Sequence, residues 1–91
     1  MELNPRDAGA YAIRGTAELE TDGYSRAIED FTEALRLEPK DAVTYSNRGV
    51  AYQRSHDLDA AIADFTQAIA IDPENPKAYY NRGTARNRSW L

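Results

Sequence analysis

Three observations predict an all-α fold built from stacked helix–turn–helix units. Twelve residues of segment 8–41 recur, type for type, 34 positions later in segment 42–75, and a shortened third copy begins at Pro76. Apolar residues within the units recur at three- and four-residue steps, the period of an amphipathic helix. Proline closes each complete unit, at Pro39 and Pro73. A period of this length is typical of an array whose units bury their apolar faces against one another, and such arrays usually present a surface to a partner.

A first helix is predicted over Ala8–Glu20 and its copy over Ala42–Arg54. Asp7 and Asp41 stand directly before these segments, where an aspartate accepts hydrogen bonds from the free N–H groups of a helix start. Three turn-forming residues follow each segment, so we expect both helices to end in a short turn.

Second helices are predicted over Tyr24–Leu37 and Leu58–Ile71. Each has one apolar face, made of Tyr24, Ala27, Ile28, Phe31, Ala34 and Leu35 and repeated as Leu58, Ala61, Ile62, Phe65, Ala68 and Ile69. Proline disfavours helical geometry in the residue before it, so the prolines at 39 and 73 end these helices. We expect Phe31 and Phe65 to anchor the core.

A fifth helix is predicted to begin at Pro76, because asparagine followed by proline is a strong helix start. The sequence therefore predicts a single domain over 1–91, with 1–7 as the tail of a preceding unit, 8–41 as repeat 1, 42–75 as repeat 2 and 76–91 as a partial repeat 3 that holds only a first helix. We expect the chain to be a segment of a longer array or a deliberately short one, and a stack of so few units to be marginally stable.

Small residues in the first helices predict close packing. Gly15 and Gly49 lie in mid-helix, where glycine costs about 1 kcal/mol relative to alanine. We expect close approach of the partner helix to offset this cost, with Ala27 and Ala61 as the small surfaces opposite.

Charged residues recur with the same period as the glycines. Arginine precedes each glycine, at Arg14, Arg48 and Arg82, and aspartate recurs at Asp30 and Asp64. This pattern predicts a ladder of internal ion pairs, formed either within a unit or between neighbouring units.

Composition excludes several classes of protein. The chain has no cysteine, and therefore neither a disulfide framework nor a thiolate metal site. No apolar run approaches the roughly 20 residues of a membrane span, and the N-terminus lacks the features of a signal peptide, so we expect a cytoplasmic location and no membrane partner. The net charge is −4, and residues 75–91 hold four bases and no acid. Four bases on an acidic chain predict no nucleic-acid partner.

Residues that could carry chemistry are isolated in the sequence. His56 is the single histidine and falls in a predicted turn, so it is expected to be neither a metal ligand nor a general base. Asp57, Asp59 and Asp64 lack the glycine and terminal glutamate of a calcium loop. There is no phosphate-binding glycine loop, and the sequence predicts no enzyme, no cofactor and no metal.

The 34-residue unit resembles the tetratricopeptide repeat. The second unit carries the family pattern most fully, with Tyr45 in place of the family's tryptophan, followed by Gly49, Tyr52, Ala61, Phe65 and Pro73. Glu18 in the first unit and Arg86 in the third stand where the pattern has the tyrosine that Tyr52 supplies. Arginine replaces the usual leucine before the glycine in all three units.

The resemblance implies a right-handed α-solenoid that acts as a non-catalytic scaffold, binding a peptide or protein in a concave groove lined by the first helix of each unit. Carried onto this sequence, the groove residues are Ala12, Ile13 and Thr16, then Val43, Ser46, Asn47, Val50 and Arg54, then Lys77, Tyr80, Asn81, Thr84 and Arg88. Towards its C-terminal end this strip is basic and rich in amides, which favours an acidic peptide or a C-terminal carboxylate.

One branch of the family grips the C-terminal carboxylates of heat-shock chaperones with two lysines, two asparagines and an arginine. Asn47 and Lys77 match two of those five positions. Ala12, Thr16 and Asn81 stand in place of a lysine, an asparagine and the arginine, so the resemblance implies that this clamp is absent.

Several roles stay open at this level. Asn47 and Asn81 are either ligand contacts or hydrogen-bonding partners between neighbouring first helices. Tyr79 belongs to a core series, so its neighbour Tyr80 must point elsewhere and is a candidate hot spot for binding. The fifth helix carries a polar outer face of Arg82, Arg86, Asn87 and Arg88, but large apolar residues follow at Trp90 and Leu91. An alternative function is therefore self-assembly, in which copies stack end to end through this helix.

Overall fold

A computed structural model describes residues 4–88, which form five helices and no strand. The first four helices begin and end where the sequence pattern predicts, and the fifth begins at the predicted Pro76, which confirms an all-α solenoid of helix–turn–helix repeats. Their bounds are α1 Ala8–Glu20, α2 Tyr24–Leu37, α3 Ala42–Arg54, α4 Leu58–Ile71 and α5 Pro76–Arg88.

Aspartate caps fix the starts of the helices. The Asp7 carboxylate accepts a hydrogen bond from the backbone N–H of Ala10 at 3.0 Å, and Asp41 accepts one from Thr44 at 3.2 Å. Asp57 does the same at the start of α4. The capping aspartates predicted from the sequence are confirmed, and each satisfies a donor that the first turn of a helix leaves free.

The turns inside the two complete units have the same geometry. Asp22 and His56 occupy equivalent positions, and both have φ of 64°, in the left-handed region that bulky residues disfavour. The next residue in each turn closes it, because Gly23 N–H donates to the Glu18 carbonyl at 2.7 Å and the N–H of Asp57 donates to the Tyr52 carbonyl at 2.9 Å. His56 therefore has a conformational role in a turn.

The stack is tighter on one side than on the other. Each helix packs on its neighbours in the sequence, and α1, α3 and α5 also contact one another in succession. The second helices, α2 and α4, make no such contact. The first helices therefore form the closely spaced side of the array.

Two phenylalanines explain the glycines in the first helices. Phe31 and Phe65 are completely buried. A Cβ atom added to Gly15 would lie 2.7 Å from the ring of Phe31, and one added to Gly49 would lie 2.6 Å from the ring of Phe65. The predicted close approach is confirmed, and the atoms nearest to each glycine belong to the aromatic ring.

The arginine–aspartate ladder runs within each unit. Nε and Nη2 of Arg14 each donate to a carboxylate oxygen of Asp30 at 2.8 Å. Arg48 binds Asp64 in the same way and with the same distances. Nη1 of Arg48 also donates to the Thr32 hydroxyl at 3.1 Å, which links the second unit to the first. Arginine in place of the usual leucine thus serves a bidentate pair with a buried carboxylate.

Helix α5 is covered on one side only. Ala78 and Ala85 are completely buried, whereas no other helix or loop of residues 4–88 has an atom within 4 Å of a Cβ placed on Gly83. Tyr79 is 44% exposed, so the prediction that it lies in the core was wrong. The reason is that no helix among residues 4–88 packs on this side of α5. Trp90 and Leu91 lie outside the described residues, as do residues 1–3.

Candidate functional site

Two adjoining cavities lie on the side of the array formed by the first helices. The large cavity has a volume of about 440 Å³ and touches α1, α3 and α5. The small cavity has a volume of about 170 Å³ and lies between α3 and α5. Four residues line both cavities and mark their junction: Asn47, Val50, Lys77 and Asn81.

Nine of the residues predicted to form the groove line these cavities. Those on the large cavity are Thr16, Asn47, Val50, Arg54, Lys77, Asn81 and Arg88, and the small cavity adds Val43 and Ser46. The fold thus brings together residues that are up to 72 positions apart in the sequence, from Thr16 to Arg88. Arg88 lines the cavity and so does not belong to the outer face of α5 on which the sequence also placed it.

Three predicted groove residues, together with Ala12, do not line either cavity. Ile13 and Tyr80 are each 73% exposed, and they are among the most exposed large apolar side chains of residues 4–88. The hydroxyl of Thr84 donates to the carbonyl of Tyr80, one turn earlier on α5, at 3.0 Å. The walls of the two cavities are therefore formed by other residues.

Sequence reasoning missed four lining residues: Leu19, Glu20, Gln53 and Asn75. The period contained the signal for one of them, because Glu20 is the repeat equivalent of the predicted groove residues Arg54 and Arg88. Leu19 and Gln53 are equivalent to each other, and neither is equivalent to a predicted groove residue. Asn75 gives no such signal, because it lines the small cavity from the loop before α5, where its side chain accepts a hydrogen bond from the N–H of Lys77 at 3.0 Å.

The large cavity carries an excess of positive charge. Arg54, Lys77 and Arg88 lie on its wall, and Glu20 is the one carboxylate there. All four side chains are exposed, so their charges remain hydrated while the cavity is empty of a ligand. A carboxylate entering between α3 and α5 would meet ammonium and guanidinium donors and form charge-assisted hydrogen bonds.

Neutral polar groups at the junction of the cavities are free to bind. No residue among 4–88 forms a hydrogen bond with the side-chain amide of Asn47 or of Asn81. This absence removes the interpretation in which the two amides tie neighbouring first helices together. The hydroxyl of Ser46 is buried and also has no partner within the described part of the chain.

Arg14, Glu18 and Asp30 form a separate ionisable cluster in the first unit, and none of them lines the large or the small cavity. The Glu18 carboxyl has one buried oxygen without a hydrogen-bond partner among residues 4–88. Burial and the nearby Asp30 carboxylate raise the pKa of Glu18 to about 7. Arg14 has the opposite effect on its partner, because its hydrogen bonds hold the pKa of Asp30 below the ordinary value. Asp30 thus stays ionised while Glu18 binds a proton near neutrality.

Residues 4–88 hold neither a metal-binding cluster nor a membrane-spanning helix. Residues 4–88 contain no group of three or more histidine, aspartate or glutamate side chains placed to hold a metal ion. None of the five helices is both long enough and apolar enough to cross a membrane.

Comparison with known proteins identifies the type of repeat. A family model described as tetratricopeptide repeat matches residues 42–75. No curated protein sequence matches the chain.

Solved structures similar to this chain include domains named as TPR domains. The Arabidopsis OM64 TPR domain is 30% identical with a TM-score of 0.88, and the match covers 92% of this chain and 69% of that one. The second TPR of Spaghetti (RPAP3), bound to the HSP90 peptide SRMEEVD, is 34% identical with a TM-score of 0.87, covering 92% and 78%. MamA is 30% identical with a TM-score of 0.93, covering 98% of this chain and 52% of that one.

Proposed function

Because this chain belongs to the tetratricopeptide repeat family, we propose that it is a non-catalytic scaffold that binds an acidic peptide segment of another protein. The binding surface in this proposal is the groove, meaning the walls of the two cavities between α1, α3 and α5. The chain spans between about half and four fifths of the length of the structures it resembles, and the proposal concerns this surface alone.

The observation that carries the proposal is the convergence of cations and unpaired amides in one place. Lys77 and Asn47 line both cavities, and Arg54 and Arg88 extend the positive surface along the large one. An extended peptide presents carbonyl and N–H groups. A side-chain amide can donate a hydrogen bond to such a carbonyl and accept one from such an N–H at the same time. Acidic side chains of the peptide would pair with the cations. The groove therefore offers partners for both the backbone and the carboxylates of a ligand.

The ligand of a similar structure supports the same chemistry. The HSP90 peptide bound to the second TPR of Spaghetti (RPAP3), SRMEEVD, contains three acidic residues. Ala12, Thr16 and Asn81 depart from the residues of the heat-shock clamp in this chain. We therefore place the grip on α3 and α5, where the two retained clamp positions, Asn47 and Lys77, lie together with the other free amide and the other cations.

A peptide-binding measurement tests the proposal. A fluorescein-labelled SRMEEVD peptide is titrated with the protein, and its anisotropy is compared with that of a neutralised copy, SRMQQVN. We expect the acidic peptide to bind at least tenfold more tightly. The double variant Asn47→Ala with Lys77→Ala should reduce that affinity at least tenfold, because a hydrogen bond to a charged group contributes roughly 1.5–3 kcal/mol and tenfold corresponds to about 1.4 kcal/mol.

Lys40→Ala provides the matched control. Lys40 is an exposed lysine that lines neither cavity, so its removal lowers the net charge by the same amount without touching the groove. Equal binding of the acidic and neutralised peptides would contradict the proposal, as would an equal loss of affinity in the Lys40→Ala control.

Self-assembly through α5 is the alternative function, and it concerns a different surface. Gly83 and Tyr79 lie on the open side of α5 and line neither cavity. Sedimentation equilibrium measures this alternative directly, and a strict monomer at high protein concentration would remove it.

A further inference from the structure

One repeat position on the wall of the large cavity changes the sign of its charge along the array. Glu20, Arg54 and Arg88 are equivalent positions of the 34-residue period, and each is the last residue of its first helix. All three side chains line the large cavity and are exposed. A ligand that crosses α1, α3 and α5 in turn would therefore meet one negative charge and then two positive charges.

Of the α1 residues on this wall, Glu20 alone is charged. The other two are Thr16 and Leu19. The hydroxyl of Thr16 donates to the Ala12 carbonyl of its own helix at 2.9 Å, and Leu19 is buried. The charge that a ligand meets on the α1 side of the groove is therefore set by Glu20.

The Glu20 carboxylate is not paired with the cations that share the cavity with it. Among residues 4–88, Glu20 takes part in no salt bridge, although Arg54 holds the next position in the row. Lys77 and Arg88, both on α5, likewise form no salt bridge within this part of the chain. Charges of both signs are thus available to a ligand, a carboxylate on α1 and cations on α3 and α5.

We propose that the groove selects an acidic peptide that also carries a basic residue, with the basic residue bound at Glu20 and the acidic residues bound by the cations of α3 and α5. Such selection rests on the proposed function and narrows its ligand to a peptide whose charges are segregated. A lysine or arginine at Glu20 would form a charge-assisted hydrogen bond, whereas a carboxylate there would be repelled. Glu20 is therefore a specificity-determining residue of the groove.

The spacing of the helices sets the separation of the two charges in the ligand. Packed helices lie about 8–10 Å apart, so α1 and α5 are roughly 16–20 Å apart across α3. Because an extended peptide advances about 3.3 Å per residue, the basic residue should lie about five or six positions from the acidic residue that reaches Arg88. The peptide SRMEEVD has its arginine second and its aspartate seventh, which fits this separation.

A double-mutant cycle between Glu20 and the arginine of the peptide tests the proposal. The probes are SRMEEVD and the reversed sequence DVEEMRS, since the charges of the groove do not fix the direction of the bound chain. Each is prepared with arginine or with glutamate at the basic position, and acetyl and amide groups block the ends so that only side-chain charges differ. Fluorescence anisotropy at low ionic strength, where exposed charges are least screened, gives the affinities for the wild type and for Glu20→Arg.

The expected result is a change in peptide preference. In at least one direction of the peptide, Glu20→Arg should shift the affinity ratio of the arginine form to the glutamate form at least fivefold towards the glutamate form. A single exposed ion pair has a modest effect, but the double reversal turns an attraction into a repulsion and a repulsion into an attraction. Glu20→Arg should not unfold the protein, because Glu20 is exposed and a cation is favourable at the C-terminus of a helix.

Glu38→Arg is the matched control. Glu38 is an exposed glutamate that lines neither cavity, so its reversal changes the net charge equally and should leave the affinity ratio unchanged. Equal ratios in Glu20→Arg and Glu38→Arg, for both directions of the peptide, would overturn the role of Glu20.

This failure is distinguishable from failure of the proposed function. If SRMEEVD binds, and the double variant Asn47→Ala with Lys77→Ala weakens it, the scaffold function stands and only the role of Glu20 falls. If none of the acidic peptides binds, both fall.

Discussion

Glu18 shows how one replaced residue alters the chemistry of a repeat. The second unit has Tyr52 at this position, and Arg48 lies over its ring at 5.8 Å. The first unit has a carboxyl that is partly buried beside Asp30, and its pKa is raised to about 7. Burial of an ionisable group without a full set of partners disfavours its charged form. In the folded state the protonated form of Glu18 is therefore favoured over the ionised form up to a pH of about 7.

The raised pKa of Glu18 predicts that the protein loses stability as the pH rises. The folded-state pKa of about 7 lies above the ordinary value of 4.5, so the folded state binds the proton more tightly than the unfolded state. The stabilising contribution is fully present below pH 4.5 and is lost as the pH rises through 7. Urea unfolding between pH 5 and 8 measures this. Glu18→Gln, which has no proton to lose, should flatten the pH dependence and be more stable than the wild type at pH 8.

Glu20→Gln supplies the control for this measurement, because Glu20 is an exposed glutamate on the same helix. Asp30 does not interfere within this range, since Arg14 keeps the pKa of Asp30 below its usual value. The interpretation fails if Glu18→Gln and the control show the same slope of unfolding free energy against pH.

The helices themselves follow from local signals. Aspartate caps and the prolines after α2 and α4 set the boundaries, and each acts within a few residues of the backbone it controls. This is why the element bounds could be predicted from sequence. The contact between Gly15 and Phe31 could not, because it depends on how two helices cross. The exposure of Tyr79 likewise depends on whether a sixth helix is present, and no residue of α5 encodes that.

The candidate site was predictable to a similar degree and for a similar reason. Because the 34-residue period places equivalent residues of the first helices on one side of the array, most of the cavity-lining positions could be identified without a structure. The period also points to Glu20, which lines the large cavity at the repeat position of Arg54 and Arg88. The sequence alone does not decide whether Asn47 contacts a ligand or forms a hydrogen bond with a neighbouring first helix, since both roles need an asparagine at the same position.

A matched pair of substitutions tests helix packing. A Cβ on Gly49 would lie 2.6 Å from the completely buried ring of Phe65, whereas a Cβ on Gly83 meets nothing within 4 Å. We expect Gly49→Ala to destabilise the fold by about 1–3 kcal/mol through overpacking. Gly83→Ala should stabilise it by about 0.5–1 kcal/mol, because alanine is the better helix former.

Urea denaturation of the two variants gives both values from one experiment. Both variants replace glycine by alanine in the middle of a first helix. The difference between their unfolding free energies therefore reports the surroundings of each position and not the type of substitution. Shifts of the same sign in both variants would show that the Phe65 contact does not explain the mid-helix glycine.

At the scale of the whole molecule, stability is distributed along the stack. Helix α3 lies between α2 and α4, whereas α5 packs on α4 and touches α3, with an open side beyond. In a repeat array each unit is stabilised mainly by its nearest neighbours. Residues with fewer buried contacts open more readily.

Hydrogen exchange should therefore follow the order of the stack. We expect the amides of α5 to exchange earlier than those of α3, because the open side lets α5 separate without unfolding the rest. Mass spectrometry of exchanged peptides measures this difference, with α3 as the internal reference. Equal protection of α3 and α5 would indicate that the array opens only as a whole.

The same glycine–phenylalanine contact occurs in both complete units, at Gly15 with Phe31 and at Gly49 with Phe65. Because the contact lies within a unit, the fit of its two helices does not depend on how many units the array contains. Units of this kind can therefore be added to an array or removed from it without a change in that contact.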